Sequence, residues 1–336
     1  MKHLNWRLKD PLIFALCREN FKFVNILVDA SFDLNAKLVS GTFKTTIIEA
    51  VIRYGSLKAI QFLLDISKEK NIDMDVTDIV GSTLLHQAIG RKDYNEDIAL
   101  FIAQNKDITF SDRHLMSRNQ SRLSTLHIAC RFGCFKVVKY ILSKCNELMI
   151  DPNITDGGGN TPLHYACCAG NIQIVEELST IQNVNFNIAS GEGGWTPLHQ
   201  ACSSVKTELI AYLLSNFKAL INPNIPDDEG DTPLHFACEG GHVEVVEVFF
   251  NNFTSEEINV NQKNDYGLTP LHIACLHRRY EIISFMIQNS EKMNIDLDLK
   301  NEEGHTAFEI LLRKSDRVFG VVECRTRKIL CSTKVV

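Results

Sequence analysis

A chain of 336 residues with a formal net charge of −6 and 45% hydrophobic residues has no compositional mark of disorder, collagen or a nucleic-acid coat. No apolar run reaches the roughly 18 to 20 residues that span a bilayer, and the first ten residues lack the apolar centre of a secretory signal, so neither a membrane-spanning nor a secreted protein is expected. The charge is uneven: residues 1–150 carry 21 basic and 16 acidic side chains, 151–257 carry 2 and 15, and 258–336 carry 12 and 10. An acidic centre excludes a basic stripe along the whole chain, so direct binding of nucleic acid is not expected.

In chain order, the first predicted element opens at Asp10 with Asp-Pro-Leu-Ile-Phe-Ala. The second opens at Thr46, followed by Ile47 and Glu49, and the third at Thr83 with Thr-Leu-Leu-His-Gln-Ala. Ser-Thr-Leu-His-Ile-Ala follows at 124, then Thr-Pro-Leu-His-x-Ala at 161, 196, 232 and 269, and a looser start at Thr306 with Ala307 and Glu309. From 83 to 269 the spacings are 41, 37, 35, 36 and 37, the period of one supersecondary unit stacked many times. A Thr hydroxyl before an apolar run satisfies free N–H groups at a helix start, and Pro next to it fits the first turn. Gly159, Gly194, Gly230 and Gly267, two residues earlier, mark turns that need positive φ.

About ten residues into each unit a second apolar pattern appears: Val137, Val138, Ile141 and Leu142, then Val245, Val246, Phe249 and Phe250, then Ile282, Ile283, Met286 and Ile287. Those offsets lie on one side of a helix. Each unit therefore reads turn, helix, short break, helix.

The strings, the Gly-rich break and the paired apolar helix resemble the ankyrin repeat, and His235-Phe-Ala-Cys-Glu-Gly-Gly-His-Val-Glu-Val-Val246 is close to that family's consensus. The resemblance implies an all-α fold, a solenoid of stacked helix-turn-helix units with β-turn fingers, about nine in number. The expected division is 1–120 for about three divergent repeats, 121–300 for about five well-matched ones, and 301–336 for a degenerate C-terminal repeat or cap and tail. The period exceeds the family's usual 33 residues or so, and the excess falls after the second helix, as in Leu214 to Asn224, where it lengthens the outer helix or its loop. The largest excess, Phe110 to Arg122, is a candidate hinge or contact loop.

Cys130, Cys167, Cys202, Cys238 and Cys275 each follow the Ala of the helix string and read as slightly enlarged alanines between helices. Free thiols at repeated core positions suit a reducing compartment, cytoplasmic or else nuclear. Cys134, Cys145, Cys168, Cys324 and Cys331 lie outside this column and are expected to be more exposed. His127, His164, His199, His235 and His272 each stand three residues before a column cysteine, which raises a zinc ladder. Packed helices lie about 8 to 10 Å apart, too far for neighbouring pairs to share one tetrahedral metal within about 2.3 Å. The reading is no metal and no cofactor; the histidines instead tie turns by hydrogen bonds, as the resemblance implies. Phosphate-loop, nucleophile-elbow and kinase signatures are absent, so no catalysis is expected.

The resemblance places partner contacts on a concave face made of turn tips and the exposed sides of the first helices. Carried over by position, the tips are Glu192, Trp195, Asp228, Glu229, Asp231, Asp265 and Tyr266, and the helices contribute Arg131, Phe132, Ser203, Glu239 and His277. Acidic tips beside two aromatics favour a basic or amphipathic polypeptide segment. The expected function is that of a protein-binding scaffold or adaptor, monomeric, without membrane insertion. The alternative is a structural module that presents a further domain.

Overall fold

The computed structural model describes residues 11–30, 33–35, 38–40, 43–90, 95–105, 113–191 and 193–313. Its helices come in pairs. Pairs are formed by α1 (Pro11–Cys17) and α2 (Phe21–Asp29), α3 (Ile47–Tyr54) and α4 (Leu57–Lys70), and α5 (Leu84–Ile89) and α6 (Glu96–Gln104). After the single turn α7 (Arg113–Met116) come α8 (Thr125–Phe132) and α9 (Phe135–Ser143), extended by α10 (Cys145–Leu148). Next are α11 (Pro162–Ala169) and α12 (Ile172–Ser179), then α13 (Pro197–Ser203) and α14 (Thr207–Phe217). The series ends with α15 (Pro233–Gly240) and α16 (Val243–Asn252), α17 (Pro270–Leu276) and α18 (Tyr280–Gln288), the short α19 (Ser290–Met293), and α20 (Ala307–Arg313).

The excess residues behave as the period implies, since α10, α19 and a 3₁₀ turn at Lys218–Leu220 each follow an outer helix. One small element joins the helices: strand β1 (Leu38–Ser40) pairs antiparallel with β2 (Phe43–Thr45), with Val39 opposite Lys44. It lies between the first two helix pairs, where a run rich in Thr, Val and Phe suits a hairpin.

The chain forms two compact units, residues 1–157 with 176–182 and residues 158–175 with 183–336. In the first, α1, α3, α5 and α8 pack in sequence; in the second, α11, α13, α15, α17 and α20 do so. The predicted apolar faces of the outer helices are buried, among them Val137, Val138, Ile141, Leu142, Val245, Val246, Phe249, Phe250, Ile282 and Met286. The five column cysteines are buried as well. Cys134 and Cys145 depart from expectation. Both are buried, Cys134 because it caps α9 in the break between paired helices, with its N–H bonded to the Ala129 carbonyl, and Cys145 because α10 folds in behind α9. Cys168 is exposed as expected, and Cys324 and Cys331 lie outside the described residues.

A string histidine such as His164, His199, His235 or His272 does two jobs. Its Nδ1 accepts the N–H of the cap residue, at 3.0 Å for Thr196–His199 and for Thr232–His235, while the Thr hydroxyl accepts the histidine's own N–H in Thr196–His199 and Thr269–His272. These are capping boxes with imidazole in the place of the usual carboxylate. The Nε2–H then reaches the next turn: His86 to the Leu123 carbonyl, His164 to Trp195, His199 to Asp231, His235 to Leu268 and His272 to His305, at 2.8–3.2 Å. Donation from Nε2 and acceptance at Nδ1 require neutral imidazole. Burial agrees with this and pushes His199 and His235 down to about 4.

Candidate partner-binding face

The turn tips are built from short polar side chains that fold the backbone. In the tip before α15, Asp227 Oδ1 accepts the N–H groups of Glu229 and Asp231, at 2.9 and 2.8 Å. Asn264 does the same for Tyr266 and Leu268 before α17, at 3.0 and 2.9 Å. Gly230 closes its tip at φ +81°, and a Cβ there would stand 2.8 Å from the backbone nitrogen of Asp265. Only glycine suits both the conformation and the close approach. Neighbouring tips are bonded through backbone: Asp228 N–H to the Gly193 carbonyl at 3.1 Å and Asp265 N–H to the Glu229 carbonyl at 2.9 Å.

This arrangement turns Asp228, Glu229, Asp265 and Tyr266 outward along one row of the second unit, and Tyr266 is 59% exposed. Asp231 differs from its neighbours. Its side chain is only 19% exposed, accepts a bond from Asn264 Nδ2 at 2.9 Å and lies 3.9 Å from His235 Nε2. Burial pushes its carboxyl up to about 6, with Asp227, Glu229 and Glu239 adding repulsion. Trp195 is half-buried, its ring edge-on to Phe236 with centroids 4.8 Å apart. Packing on the adjacent repeat thus takes part of the indole and leaves part of it open.

On the inner helices of the second unit, Ser203, Glu239 and His277 are exposed. Glu239 Oε1 lies 3.8 Å from His277 Nε2, and the Glu239 carbonyl accepts Arg279 Nε at 2.9 Å. Arg131 and Phe132 are exposed at the end of α8 in the first unit, with the guanidinium 5.9 Å from the ring centroid. Glu192 lies outside the described residues.

Sequence reasoning passed over Glu302 and Glu303, exposed on the tip before α20. They stand four and three residues before Thr306, as Asp228 and Glu229 stand before Thr232, so the same count would have found them. The imidazoles of the buried histidines His164, His199, His235 and His272 have both ring nitrogens engaged. Among the described residues, no group of three or more His, Cys, Asp or Glu side chains is placed to hold a metal ion. No helix among them is long and apolar enough to cross a membrane.

Stacked helix pairs capped by Thr and tied turn to turn by histidine define a repeat protein of the ankyrin kind. A family profile described as ankyrin repeats matches residues 47–156, 126–222 and 215–301, and the chain belongs to that family. Ankyrin repeats generally serve as protein–protein interaction modules and are generally without catalytic activity. The chain is 33% identical over 120 residues, 35% of its length, to an ankyrin repeat protein of Rickettsia bellii. It is 31% identical over 64 residues, 19% of its length, to a Saccharomyces cerevisiae protein described as 26S proteasome regulatory subunit p28. The matched segments span 32% and 28% of those two relatives.

Proposed function

We propose that the chain is a non-catalytic scaffold or adaptor, and that the tips and inner-helix sides of its second unit bind a basic or amphipathic polypeptide segment. The observation that carries this reading is the outward row of Asp228, Glu229 and Asp265 beside the exposed Tyr266. Complementary charge draws a basic segment to these tips, and the aromatic rings of Tyr266 and Trp195 supply apolar contact of the type enriched at binding hot spots. Glu239 and His277 extend the face along the inner helices. The buried column of cysteine thiols fits a reducing compartment, cytoplasmic or nuclear, and the reading takes the chain as a monomer.

The test is titration of the full chain with a fluorescent synthetic peptide of repeated Lys-Leu-Lys-Phe, followed by anisotropy at low and high salt. Binding should weaken with salt, because exposed charges are screened beyond about 8 Å at physiological ionic strength. Replacing Asp228, Glu229 and Asp265 together with Lys should remove it. Salt-independent binding, or binding that survives the triple substitution, would show the acidic row to be a bystander.

A further inference from the structure

We infer that Trp195 and Asp228 form a seat for one arginine side chain of the bound segment. The inference rests on the proposed binding of a basic segment and names the residue that the second unit reads in it. Two consecutive glycines bring the groups together. A Cβ on Gly193 would stand 3.3 Å from Trp195 Nε1, and one on Gly194 would stand 2.5 Å from Asp228 Oδ1. Adjacent Cα atoms are about 3.8 Å apart, so the indole edge and the carboxylate meet neighbouring points of one tip. The Asp228 N–H, bonded to the Gly193 carbonyl at 3.1 Å, holds that spacing.

Phe236 gives the seat a wall. Its ring meets that of Trp195 at 77° with centroids 4.8 Å apart, and it lies on α15, the helix that follows the tip of Asp228. Trp195 is thus held between its own tip and the inner helix of the next repeat. An edge-on pair leaves both faces of one ring uncovered by the other, and both residues are half-buried. Backbone bonds fix the tryptophan, its N–H donating to Ser190 Oγ at 3.0 Å and its carbonyl accepting His164 Nε2–H at 2.8 Å. A ring held in this way needs little ordering on binding. Its indole N–H has no hydrogen-bond partner among the described residues, so it is open to a carbonyl of the bound segment.

The chain supplies no cation to this seat. Asp228 is exposed, and its carboxylate has no hydrogen bond or ion pair among the described residues. Residues 183–257 hold 11 acidic side chains and 2 basic ones, Lys206 and Lys218. Lys218 is paired with Glu257 at 2.8 Å. Lys206 caps α14, past the far end of α13, and its stem lies over Gly170, where a Cβ would stand 2.8 Å from Lys206 Cδ. In the following repeat Lys263 Nζ donates to the Lys300 carbonyl at 2.7 Å and Arg279 Nε to the Glu239 carbonyl at 2.9 Å. The counter-charge for Asp228 comes from the partner. A guanidinium meets the whole seat, because it stacks flat on an aromatic face, pairs with a carboxylate through its N–H fork and sheds water more readily than an ammonium. Lysine brings a point charge that uses the carboxylate alone.

The test uses the full chain and two fluorescent peptides of equal charge, repeated Lys-Leu-Lys-Phe and repeated Arg-Leu-Arg-Phe. The Arg peptide should bind about fivefold more tightly or better, the scale of one cation–π contact. Trp195→Leu should bring it down to the level of the Lys peptide, whose own affinity should stay within about twofold of the parent. Tyr266→Leu should keep the preference for Arg, and Asp228→Asn should reduce it. Far-UV circular dichroism will check that the variants fold. A second readout leaves the seat intact: the chain has two tryptophans, so in a Trp6→Phe variant the emission reports Trp195 alone, and the Arg peptide should change it more than the Lys peptide does. Equal affinity for the two peptides, a preference for Arg that survives Trp195→Leu, or Arg binding without a change in Trp195 emission would overturn the seat. Equal, salt-sensitive binding of both peptides sinks the seat alone and leaves the proposed function standing. Binding of neither sinks both.

Discussion

The side-chain oxygen of Asn224 accepts the backbone N–H of Asn259 at 2.7 Å, while the same amide donates Nδ2–H to the Glu257 carbonyl at 2.8 Å. The clasp recurs at Asn187, which binds Asn222 N–H and the Leu220 carbonyl, and at Asn261, which binds Asp296 N–H and the Asn294 carbonyl. Asn35 makes it in the first unit, to Asp73 and Asn71. The residue two before each of these folds its own loop instead: Asn222 Oδ1 accepts Asn224 N–H at 3.0 Å, and Asn259 accepts Asn261 N–H at 3.2 Å. Each Asn-x-Asn string thus shapes one loop and clips it to the next.

The second position must accept and donate at once, and a carboxamide does so from two separate atoms. Asn224→Asp keeps the acceptor but sets a carboxylate against the Glu257 carbonyl in an acidic region. We expect a loss of about 1 to 2 kcal/mol in urea unfolding, the scale of one lost hydrogen bond with repulsion in its place, and a smaller loss for Asn222→Ala. Equal melting of Asn224→Asp and the parent would show the clasp to be energetically silent.

A second prediction concerns Glu49, which takes the histidine's place in the second repeat. It caps Thr46 as the histidines do, accepting the Thr46 N–H at 2.7 Å, but a carboxylate has no proton to send to the next turn. Gln87 supplies it, with Nε2 donating to Glu49 Oε1 and to the Ser82 carbonyl, both at 3.1 Å, and Oε1 accepting Arg53 Nε at 3.0 Å. Ser82 is the positional equivalent of Leu123, Asp231 and Leu268, whose carbonyls take the histidine bond elsewhere. Gln87→Leu should cost about 2 to 4 kcal/mol, because it leaves a buried carboxylate and a carbonyl short of donors. Glu49→His in the Gln87→Leu background should recover part of that loss, and a double-mutant cycle with no coupling would refute the relay.

The repeat was legible because its signals are local. Thr, Pro, Leu and His lie within one turn of helix and carry the cap and the bridge by themselves, and the φ > 0 glycines precede them at a fixed distance. Glu49 reads as a lost match because its compensating partner, Gln87, is 38 residues away. Cys134 reads as exposed because its burial depends on the break between two helices closing over it. In the acidic tip, sequence shows Asp227, Asp228, Glu229 and Asp231 as equals. The turn separates them: Asp227 is spent folding the backbone, Asp231 is drawn inward to Asn264, and only Asp228 and Glu229 face out.

Acid should weaken the second unit, and the sign follows from the buried groups. His199 and His235, at about 4 in the folded chain against 6.5 unfolded, give stability that is complete above pH 6.5 and is lost as pH falls towards 4, because the unfolded chain takes up protons first. Asp231 opposes them. Raised from 3.8 to about 6, its contribution is complete below pH 3.8 and lost as pH rises through 6. Asp231→Asn keeps an oxygen for Asn264 and removes the buried charge, so it should raise stability at pH 7.5 by about 1 to 3 kcal/mol, the order set by about 1.4 kcal/mol per pKa unit, and change little at pH 4. Thermal melts at the two pH values decide it: a stabilisation of the same size at both would mean that Asp231 does not titrate in this way.

The thiols give the last prediction. Cys168 is exposed on α11, where the Ser204 hydroxyl stands 3.6 Å from its sulfur, while Cys167 beside it is buried, as are Cys202, Cys238 and Cys275. Burial pushes these four thiols up, Cys275 to about 12, so they lack both the thiolate and the access that alkylation needs. A short pulse of iodoacetamide on the native chain, read peptide by peptide, should label Cys168 and spare its neighbour. The buried sites should label only at the rate of unfolding, and denaturant should bring Cys167 and Cys168 to comparable extents. Cys238→Ala should cost no more than about 1 to 2 kcal/mol, the scale of a small core cavity, and should leave zinc content at zero. Native labelling of Cys167 as fast as that of Cys168 would contradict the packing of α11 against α13, and stoichiometric zinc in protein purified without chelator would overturn the reading of the cysteine column as core.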